Sequence, residues 1–151
     1  MPKATPHTRN LRKGRWSKPS HIYVVTFVTD NRINWFEDLY LARAVIKCLN
    51  KCPDTQTLAF VVMPNHVHWM IQISGERTLA KIVQASKSSS AHAINRLAKR
   101  KGKIWQPGFH DHAVRNEKAL REIARYLVAN PLRAKLVRSV KDYPFWDAIW
   151  I

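Results

Sequence analysis

Two histidines separated by one apolar residue, His66 and His68, are the clearest candidates for chemistry in the sequence. Their neighbours are mostly β-branched or aromatic, which predicts a strand leaving a turn at Pro64 and Asn65. Side chains alternate between the two faces of a strand, so both imidazoles would lie on one face, about 6–7 Å apart at Cα. Two imidazoles at this spacing can hold one metal ion. Two histidines on a solvated strand face are the ordinary alternative.

A second candidate pair, Tyr126 and Asn130, lies on a helix predicted at about 117–130. The apolar stripe of this helix consists of Leu120, Ile123, Ala124 and Leu127. Tyr126 falls at the edge of that stripe, and Asn130 follows one turn later on the same side. The structural interpretation is a tyrosine at the edge of the core, followed by an asparagine that caps a new helix starting at Pro131.

The elements that must position these side chains follow the order β-α-β-β-α-β, with the helix of Tyr126 added at the end. Strands are predicted at 21–30, 58–63, 66–74 and 104–115, the last broken at 107–108, and helices at 39–51 and about 78–101. This order is that of the ferredoxin-like or RRM-like fold of the α+β class, an antiparallel sheet with helices on one face. The other face would carry the histidine pair, and the last helix could cross it.

The charge of the chain is strongly one-sided. It contains 26 lysines and arginines against 10 aspartates and glutamates, for a formal net charge of +16 and a pI near 10.5. A domain this basic usually binds a polyanion, and six Trp and four Tyr also favour nucleic acid. The candidate phosphate contacts in the two most basic regions are Arg12, Lys13, Arg15, Lys18, Lys81 and Lys87. Such contacts provide affinity rather than sequence choice.

The length of 151 residues indicates one domain with one core. We divide it into a basic arm at 1–20, a catalytic domain at 21–137 and an aromatic tail at 138–151 that is expected to pack on the core. Cys48 and Cys52 share a helical face and are interpreted as buried thiols, without a disulfide framework. That pattern is typical of a reducing cytoplasm. The sequence has neither an apolar signal region nor a run long enough to cross a membrane.

Five stretches of the sequence resemble the REP-associated branch of the single-tyrosine HUH transposases, where HUH denotes histidine, a bulky hydrophobic residue and histidine. The stretches are Gly-Arg-Trp-Ser at 14–17 with Tyr-Val-Val-Thr at 23–26, Met-Pro-Asn-His-Val-His at 63–68, Trp-Gln-Pro-Gly-Phe-His-Asp-His at 105–112, and Tyr-Leu-Val-Ala-Asn-Pro-Leu-Arg-Ala at 126–134. They occur in the family's order and lie within residues 12–137.

The resemblance implies a metal-dependent enzyme that cleaves and rejoins single-stranded DNA at palindromic, hairpin-forming repeats. It implies that Tyr126 is the nucleophile and forms a covalent 5′-phosphotyrosine. The implied metal ligands are His66, His68 and Asn130, which would hold Mg²⁺, or Mn²⁺ because imidazole generally suits transition metals.

A second His-x-His, formed by His110 and His112, is a rival metal site on another predicted strand. The resemblance implies instead that His112 and Arg115 lie near the active site, where we interpret them as phosphate or substrate contacts. Surface imidazoles on an edge strand are the structural alternative.

Two other functional classes compete with the transposase. One is a non-catalytic single-stranded nucleic-acid-binding protein with an RRM-like sheet, although the aromatic pattern of such domains is not evident on the predicted strands. The other is a relaxase or replication initiator, but these are usually larger and can carry two tyrosines in the motif where Tyr126 stands alone. The resemblance favours a monomer over a homodimer, in the bacterial cytoplasm and associated with the nucleoid.

Overall fold

The computed structural model describes residues 21–150. Its strands are β1 (Ile22–Val28), β2 (Thr55–Met63), β3 (His66–Ile73), β4 (His110–Val114) and β5 (Trp146–Ala148). Its helices are α1 (Leu39–Asn50), α2 (Leu79–Leu97), α3 (Leu120–Val128) and α4 (Asn130–Arg133). Short 3₁₀ turns lie at Asp30–Arg32, Trp35–Glu37, Glu117–Ala119 and Val140–Asp142. The arm at 1–20, with its four candidate phosphate contacts, lies outside the described residues.

The five strands form one sheet in the order β4-β1-β3-β2-β5, and all neighbouring strands are antiparallel. The first four follow the order of the ferredoxin-like fold, so the predicted α+β class is confirmed. β5 was not predicted as a strand. It extends the sheet because residues 146–148 pair with residues 59–61 of β2.

Several predicted boundaries differ from the structure, and β2 begins three residues earlier than predicted, at Thr55. β4 starts only at His110, because the chain turns at Gly108, whose φ of 77° is a conformation that suits glycine. α2 ends at Leu97, and Lys99 already has a positive φ of 54°. The last helix divides into α3 and α4 at Ala129, just before the Asn-Pro pair.

One face of the sheet packs against α1 and α2. Trp69 and the alternate residues of β3 point into this core, while α1 contributes buried residues at helical spacing, including Val45 and Leu49. Both helices begin at side-chain caps, because Asp38 accepts from the amides of residues 40 and 41 and Thr78 accepts from the amide of Lys81. This layer fixes the strand that carries His66 and His68.

The opposite face is partly covered by α3 and by the aromatic C-terminal segment. Met70, Leu127 and Tyr143 are buried in this second cluster. The Tyr143 hydroxyl donates a 2.6 Å hydrogen bond to the carbonyl of Val62, and burial raises the pKa of Tyr143 to about 12. The expectation that the aromatic tail packs on the core is confirmed, and the face predicted to be open is partly covered by these two segments.

Cys48 and Cys52 are free thiols and are half-buried, so the predicted burial is only partial. They lie on the α1 side that faces α2, where Ser89 and Ser86 donate to their sulfur atoms. None of the helices between residues 21 and 150 combines the length and the apolar character that a transmembrane span requires.

Lys87 does not have the phosphate-contacting position that the sequence predicted. It is only 7% exposed, and its ammonium donates 2.7 Å hydrogen bonds to the carbonyls of Gln106 and Gly108. Burial, and secondarily the charge of Lys103, lowers its pKa. Lys87 therefore holds the loop that leads into β4.

We expect Lys87→Met to lower the free energy of unfolding by about 1.5–3 kcal/mol, because the methionine keeps the apolar stem but leaves the loop carbonyls without their charged donor. Lys81→Met is the matched control for stability, because Lys81 is an exposed lysine of the same helix. It is not the control for DNA affinity, because Lys81 is itself a candidate phosphate contact. Denaturant unfolding of both variants, together with DNA affinity, gives the answer. A Lys87→Met variant with normal stability and weakened DNA binding would restore the phosphate role.

Candidate active site

The register of the sheet brings the two His-x-His stretches onto one face. Thr26 of β1 pairs with His68 on one side and with His110 on the other. Directly paired residues of antiparallel strands point to the same face, so these side chains, and His66 and His112 at alternate positions, lie on the α3 side. Because β1 intervenes, the backbones of His68 and His110 are about 10 Å apart, twice the spacing of neighbouring strands.

The His66 and His68 rings are in contact at the start of β3, with the edge of one ring against the face of the other. Their centroids are 4.8 Å apart and their planes meet at 85°. Nδ1 of His66 is 2.7 Å from the amide oxygen of Asn65, and Nδ1 of His68 is 2.8 Å from the Thr26 hydroxyl. With the Asn65 oxygen as acceptor, His66 would carry its proton on Nδ1. The Thr26 hydroxyl can donate or accept, so the same tautomer is compatible with His68. Both Nε2 atoms then remain as possible metal donors.

The surroundings of both histidines favour the uncharged imidazole. Burial is the main cause that lowers the pKa of His66, and Arg32 adds to it. Burial also lowers the pKa of His68 to about 4, with further contributions from His66 and Arg133. Neutral imidazole is the form that binds metal, so no proton has to be displaced from either Nε2 near pH 7.

α3 positions Tyr126 on the opposite wall of the site. The helix buries Leu127 and Val128 against the sheet, whereas Tyr126 is 68% exposed. Asn130 is the first residue of α4, and its amide nitrogen donates a 2.7 Å hydrogen bond back to the carbonyl of Leu127. The prediction that Asn130 caps a following helix is therefore wrong, because its side chain holds the end of α3 and leaves the amide oxygen as an acceptor.

A cavity of about 410 Å³ joins these elements. Its lining residues are Val24, Thr26, His68, His112, Glu122, Ile123, Tyr126, Leu127 and Asn130. His66 contacts His68 at its side. Thr26 and Glu122 were not singled out from the sequence, although Glu122 stands one turn before Tyr126 and shares its face. Four of the predicted site residues therefore line one cavity, namely His68, His112, Tyr126 and Asn130.

The remaining predicted contacts have different positions. His112 lines the cavity, and burial lowers its pKa although Asp111 acts in the opposite direction. Arg115 is exposed just after the end of β4. Lys81 is exposed on α2, across the sheet from Tyr126. His110 is exposed and does not line the cavity, so only His112 of the second His-x-His belongs to the candidate site.

Of the four tyrosines in the chain, Tyr126 is the one that lines this cavity. Tyr23 is buried in the core beneath α1 and α2, and Tyr143 is buried with its hydroxyl bonded to Val62. Tyr40 is exposed near the start of α1, on the opposite side of the sheet. Geometry therefore selects Tyr126 as the phenol that a substrate in the cavity would meet.

The described side chains around the cavity supply three metal ligands only if an amide oxygen is one of them. Between residues 21 and 150, no group of three or more His, Cys, Asp or Glu side chains could hold a metal ion. His66 and His68 supply two nitrogen donors, and the amide oxygen of Asn130 on the wall of the same cavity is a donor of another type. Nitrogen and oxygen donors of this kind suit first-row transition ions and, through oxygen, magnesium.

Residues 17–130 match the protein family described as Transposase IS200 like. The chain belongs to this family. The match spans every residue of the cavity, from Val24 to Asn130. This IS200-like transposase therefore carries its candidate active site wholly within the part of the chain that defines the family.

Two relatives are similar over most of the chain. A REP-associated tyrosine transposase of Escherichia coli (strain K12) is 33% identical over 107 residues, which are 70% of this chain and 61% of that protein. A protein of Haemophilus influenzae is 26% identical over 136 residues, which are 82% of this chain and 77% of that protein. The match thus spans about three fifths of the Escherichia coli relative's length, and the predicted resemblance is confirmed.

A solved structure gives the same result for the fold. A REP-associated tyrosine transposase bound to a REP hairpin superposes on this transposase with a TM-score of 0.70 and 27% sequence identity, covering 87% of this chain and 79% of the other. The 87% of this chain that superposes is a larger share than the sheet, α1 and α2 make up.

Proposed function

We propose that this transposase cleaves and rejoins single-stranded DNA next to a hairpin, through a covalent 5′-phosphotyrosine formed at Tyr126. The observation that carries the proposal is the single cavity that brings Tyr126, Asn130 and His68 together from three different elements. His66 lies against His68 at the edge of that cavity. Phenol, amide and imidazole in one water-accessible cleft are the groups that such a phosphoryl transfer needs.

His66, His68 and Asn130 would hold a divalent ion, Mg²⁺ or Mn²⁺. The lowered pKa values of both imidazoles fit this role, and so does an amide whose nitrogen rather than its oxygen bonds back to Leu127. These uncharged donors leave the ion its full charge. When bound, the ion would polarise a non-bridging phosphate oxygen and orient the phosphate.

The chain's own residues perform the transfer itself. The Tyr126 oxygen attacks phosphorus and its phenolic proton passes to solvent. The bond from phosphorus to the 3′ oxygen breaks, and the departing 3′ oxygen takes a proton from solvent. One DNA fragment leaves with a 3′-hydroxyl and the other is joined to Tyr126 through its 5′-phosphate. A 3′-hydroxyl can later attack the same phosphorus and release the tyrosine, which rejoins DNA without an external energy source. His112 and Arg115 would contact the phosphate or a neighbouring nucleotide.

Hairpin DNA of a palindromic repeat is the proposed partner. The net charge of +16 favours a polyanion, and the structural relative is bound to a REP hairpin. Arg12, Lys13, Arg15, Lys18 and Lys81 remain candidate phosphate contacts. We propose that the protein acts as a monomer at the bacterial nucleoid, in the cytoplasm.

A non-catalytic RRM-like nucleic-acid-binding protein is less well supported. Such proteins bind bases on an open sheet face with exposed aromatic side chains. Here α3 and Tyr143 pack on that face and bury Met70. The sheet residues that line the remaining cavity are Val24, Thr26, His68 and His112, with no Phe, Tyr or Trp among them.

The proposed function is tested by incubating the protein with labelled single-stranded DNA that carries candidate hairpins, with and without Mn²⁺. We expect a covalent protein–DNA band only when metal is present. Hairpin DNA should bind much more tightly than plain duplex, with affinity falling steeply as salt rises, because phosphate contacts release counterions. Equal binding of unstructured duplex, together with no covalent band, would contradict the proposal.

The hydrogen bond from His68 to Thr26 should set the strength of metal binding. Thr26→Val keeps the shape of the side chain but removes the 2.8 Å partner of Nδ1, so the ring is less firmly oriented. We expect Mn²⁺ affinity to fall about 10- to 100-fold, as measured by titration calorimetry. Thr55→Val is the control, since that hydroxyl bonds to the carbonyl of Cys52, away from the cavity. Equal Mn²⁺ affinities of the two variants would argue against His68 as a ligand.

A further inference from the structure

Arg133 contacts Tyr126 in two different ways. Its guanidinium carbon lies 3.6 Å from the centroid of the Tyr126 ring. Its Nη2 also donates a 2.6 Å hydrogen bond to the backbone carbonyl of Tyr126. The first contact covers one face of the phenol ring, and the second ties α4 to α3. One side chain therefore restrains both the ring and the backbone of this tyrosine.

The ring of Tyr126 needs such a restraint because the core does not provide one. Its 68% exposure contrasts with the buried Leu127 that follows it. Exposed side chains exchange rotamers within picoseconds to nanoseconds, and only some rotamers direct the phenolic oxygen towards the cavity. A cation over the face of an aromatic ring is attracted by the ring's negative face. The contact with Arg133 therefore favours the orientation that the structure shows.

The backbone of α4 holds Arg133 in this position. α4 is a single turn whose second residue is Pro131, and the proline ring fixes φ at that residue. Asn130 of the same turn bonds back to the carbonyl of Leu127. The turn thus directs Asn130 into the cavity wall and places Arg133 over the ring of Tyr126.

The charge of Arg133 lies beside the cavity, because its guanidinium stacks on the ring of Tyr126, which lines that cavity. A cation at this point also makes the cavity more favourable for an anionic phosphate.

We propose that Arg133 is a positioning residue that holds the Tyr126 ring with its oxygen facing the cavity. The inference rests on the proposed role of Tyr126 as nucleophile. The guanidinium suits this task because its plane stacks on a ring while its edge donates hydrogen bonds. A lysine ammonium is a compact point charge and cannot make both contacts in the same way.

The test compares Arg133→Met and Arg133→Lys with Arg125→Met, which removes an exposed charge from α3 itself. The measurements are single-turnover cleavage of a hairpin DNA and the dissociation constant of that DNA. Arg133→Met should slow cleavage about 10- to 100-fold, as misplacement of a reacting group does, while the dissociation constant changes little. Arg133→Lys should recover only part of the rate, and Arg125→Met should cleave at the wild-type rate.

A second measurement does not depend on cleavage. The chain has four tyrosines, so ring-labelled tyrosine gives few NMR signals, and Tyr126→Phe identifies the one that belongs to Tyr126. Arg133→Met should shift the Tyr126 ring signal and leave those of Tyr23 and Tyr143 in place. Arg125→Met should leave all of them unchanged.

Wild-type cleavage and an unshifted Tyr126 signal in Arg133→Met would overturn the proposal. A loss confined to DNA affinity would overturn it as well, since Arg133 would then be a phosphate contact. If Arg133→Met does not fold, the rate and ring signal of Arg133→Lys decide in the same way. The proposed function fails separately, when the wild-type protein forms no adduct at Tyr126.

Discussion

Tyr126→Phe is expected to abolish the covalent protein–DNA adduct and to reduce cleavage about 10³-fold or more, as loss of a nucleophile does. The substitution removes one oxygen and keeps the ring, so the contact with Arg133 and the packing of α3 are preserved. Affinity for hairpin DNA should remain, because phosphate contacts elsewhere supply most of the binding energy.

Tyr40→Phe is the matched control for this experiment. Tyr40 and Tyr126 are both 68% exposed, but Tyr40 lies on α1, on the other side of the sheet. Its variant should form the adduct at the wild-type rate. The adduct is detected as a DNA-linked band on a denaturing gel, and mass mapping identifies the modified peptide. A band that persists in Tyr126→Phe, or a modified peptide that contains another tyrosine, would contradict the assignment of Tyr126 as the nucleophile.

His66→Ala and His68→Ala are each expected to reduce cleavage about 10³-fold or more and to weaken Mn²⁺ binding, because each removes one nitrogen donor. DNA affinity should change little in either variant. The fold should persist, since both side chains lie at the cavity rather than in the main core. Calorimetric Mn²⁺ titration and single-turnover cleavage measure the two effects separately.

His110→Ala is the control for the histidine variants. It removes an imidazole from the same face of the sheet, but across β1 from His68 and outside the cavity lining. A mild effect on cleavage and normal Mn²⁺ affinity are expected. If His110 proved essential for metal uptake and His66 did not, the metal would belong to the second His-x-His.

Patterns with a local physical cause were predictable from the sequence. The alternation of side chains along a strand was enough to place His66 and His68 on one face and Trp69 on the other, and β3 has this arrangement. The order of elements was enough for the sheet order of its first four strands. Thr78 precedes the apolar run of the second helix, and its hydroxyl caps that helix, as threonines at this position commonly do.

Features that depend on distant contacts were not predictable in this way. Lys87 resembles any solvated lysine in the sequence, and only the fold brings the carbonyls of Gln106 and Gly108 to it. Thr26 became relevant through the register of β1 against β3. Asn130 precedes a proline, which indicated a helix boundary but not the direction in which its amide would bond.

The sheet separates two hydrophobic clusters, and α3 belongs to the smaller one. Regions with fewer buried apolar contacts open more often than the rest of a protein, without global unfolding. Backbone amides of α3 should therefore exchange with deuterium before those of α2, which packs in the larger cluster. α3, which carries Tyr126, could then detach from the sheet and return while β3, which carries His66 and His68, stays in place. A DNA strand could leave the cleft in this way without the protein losing its main core.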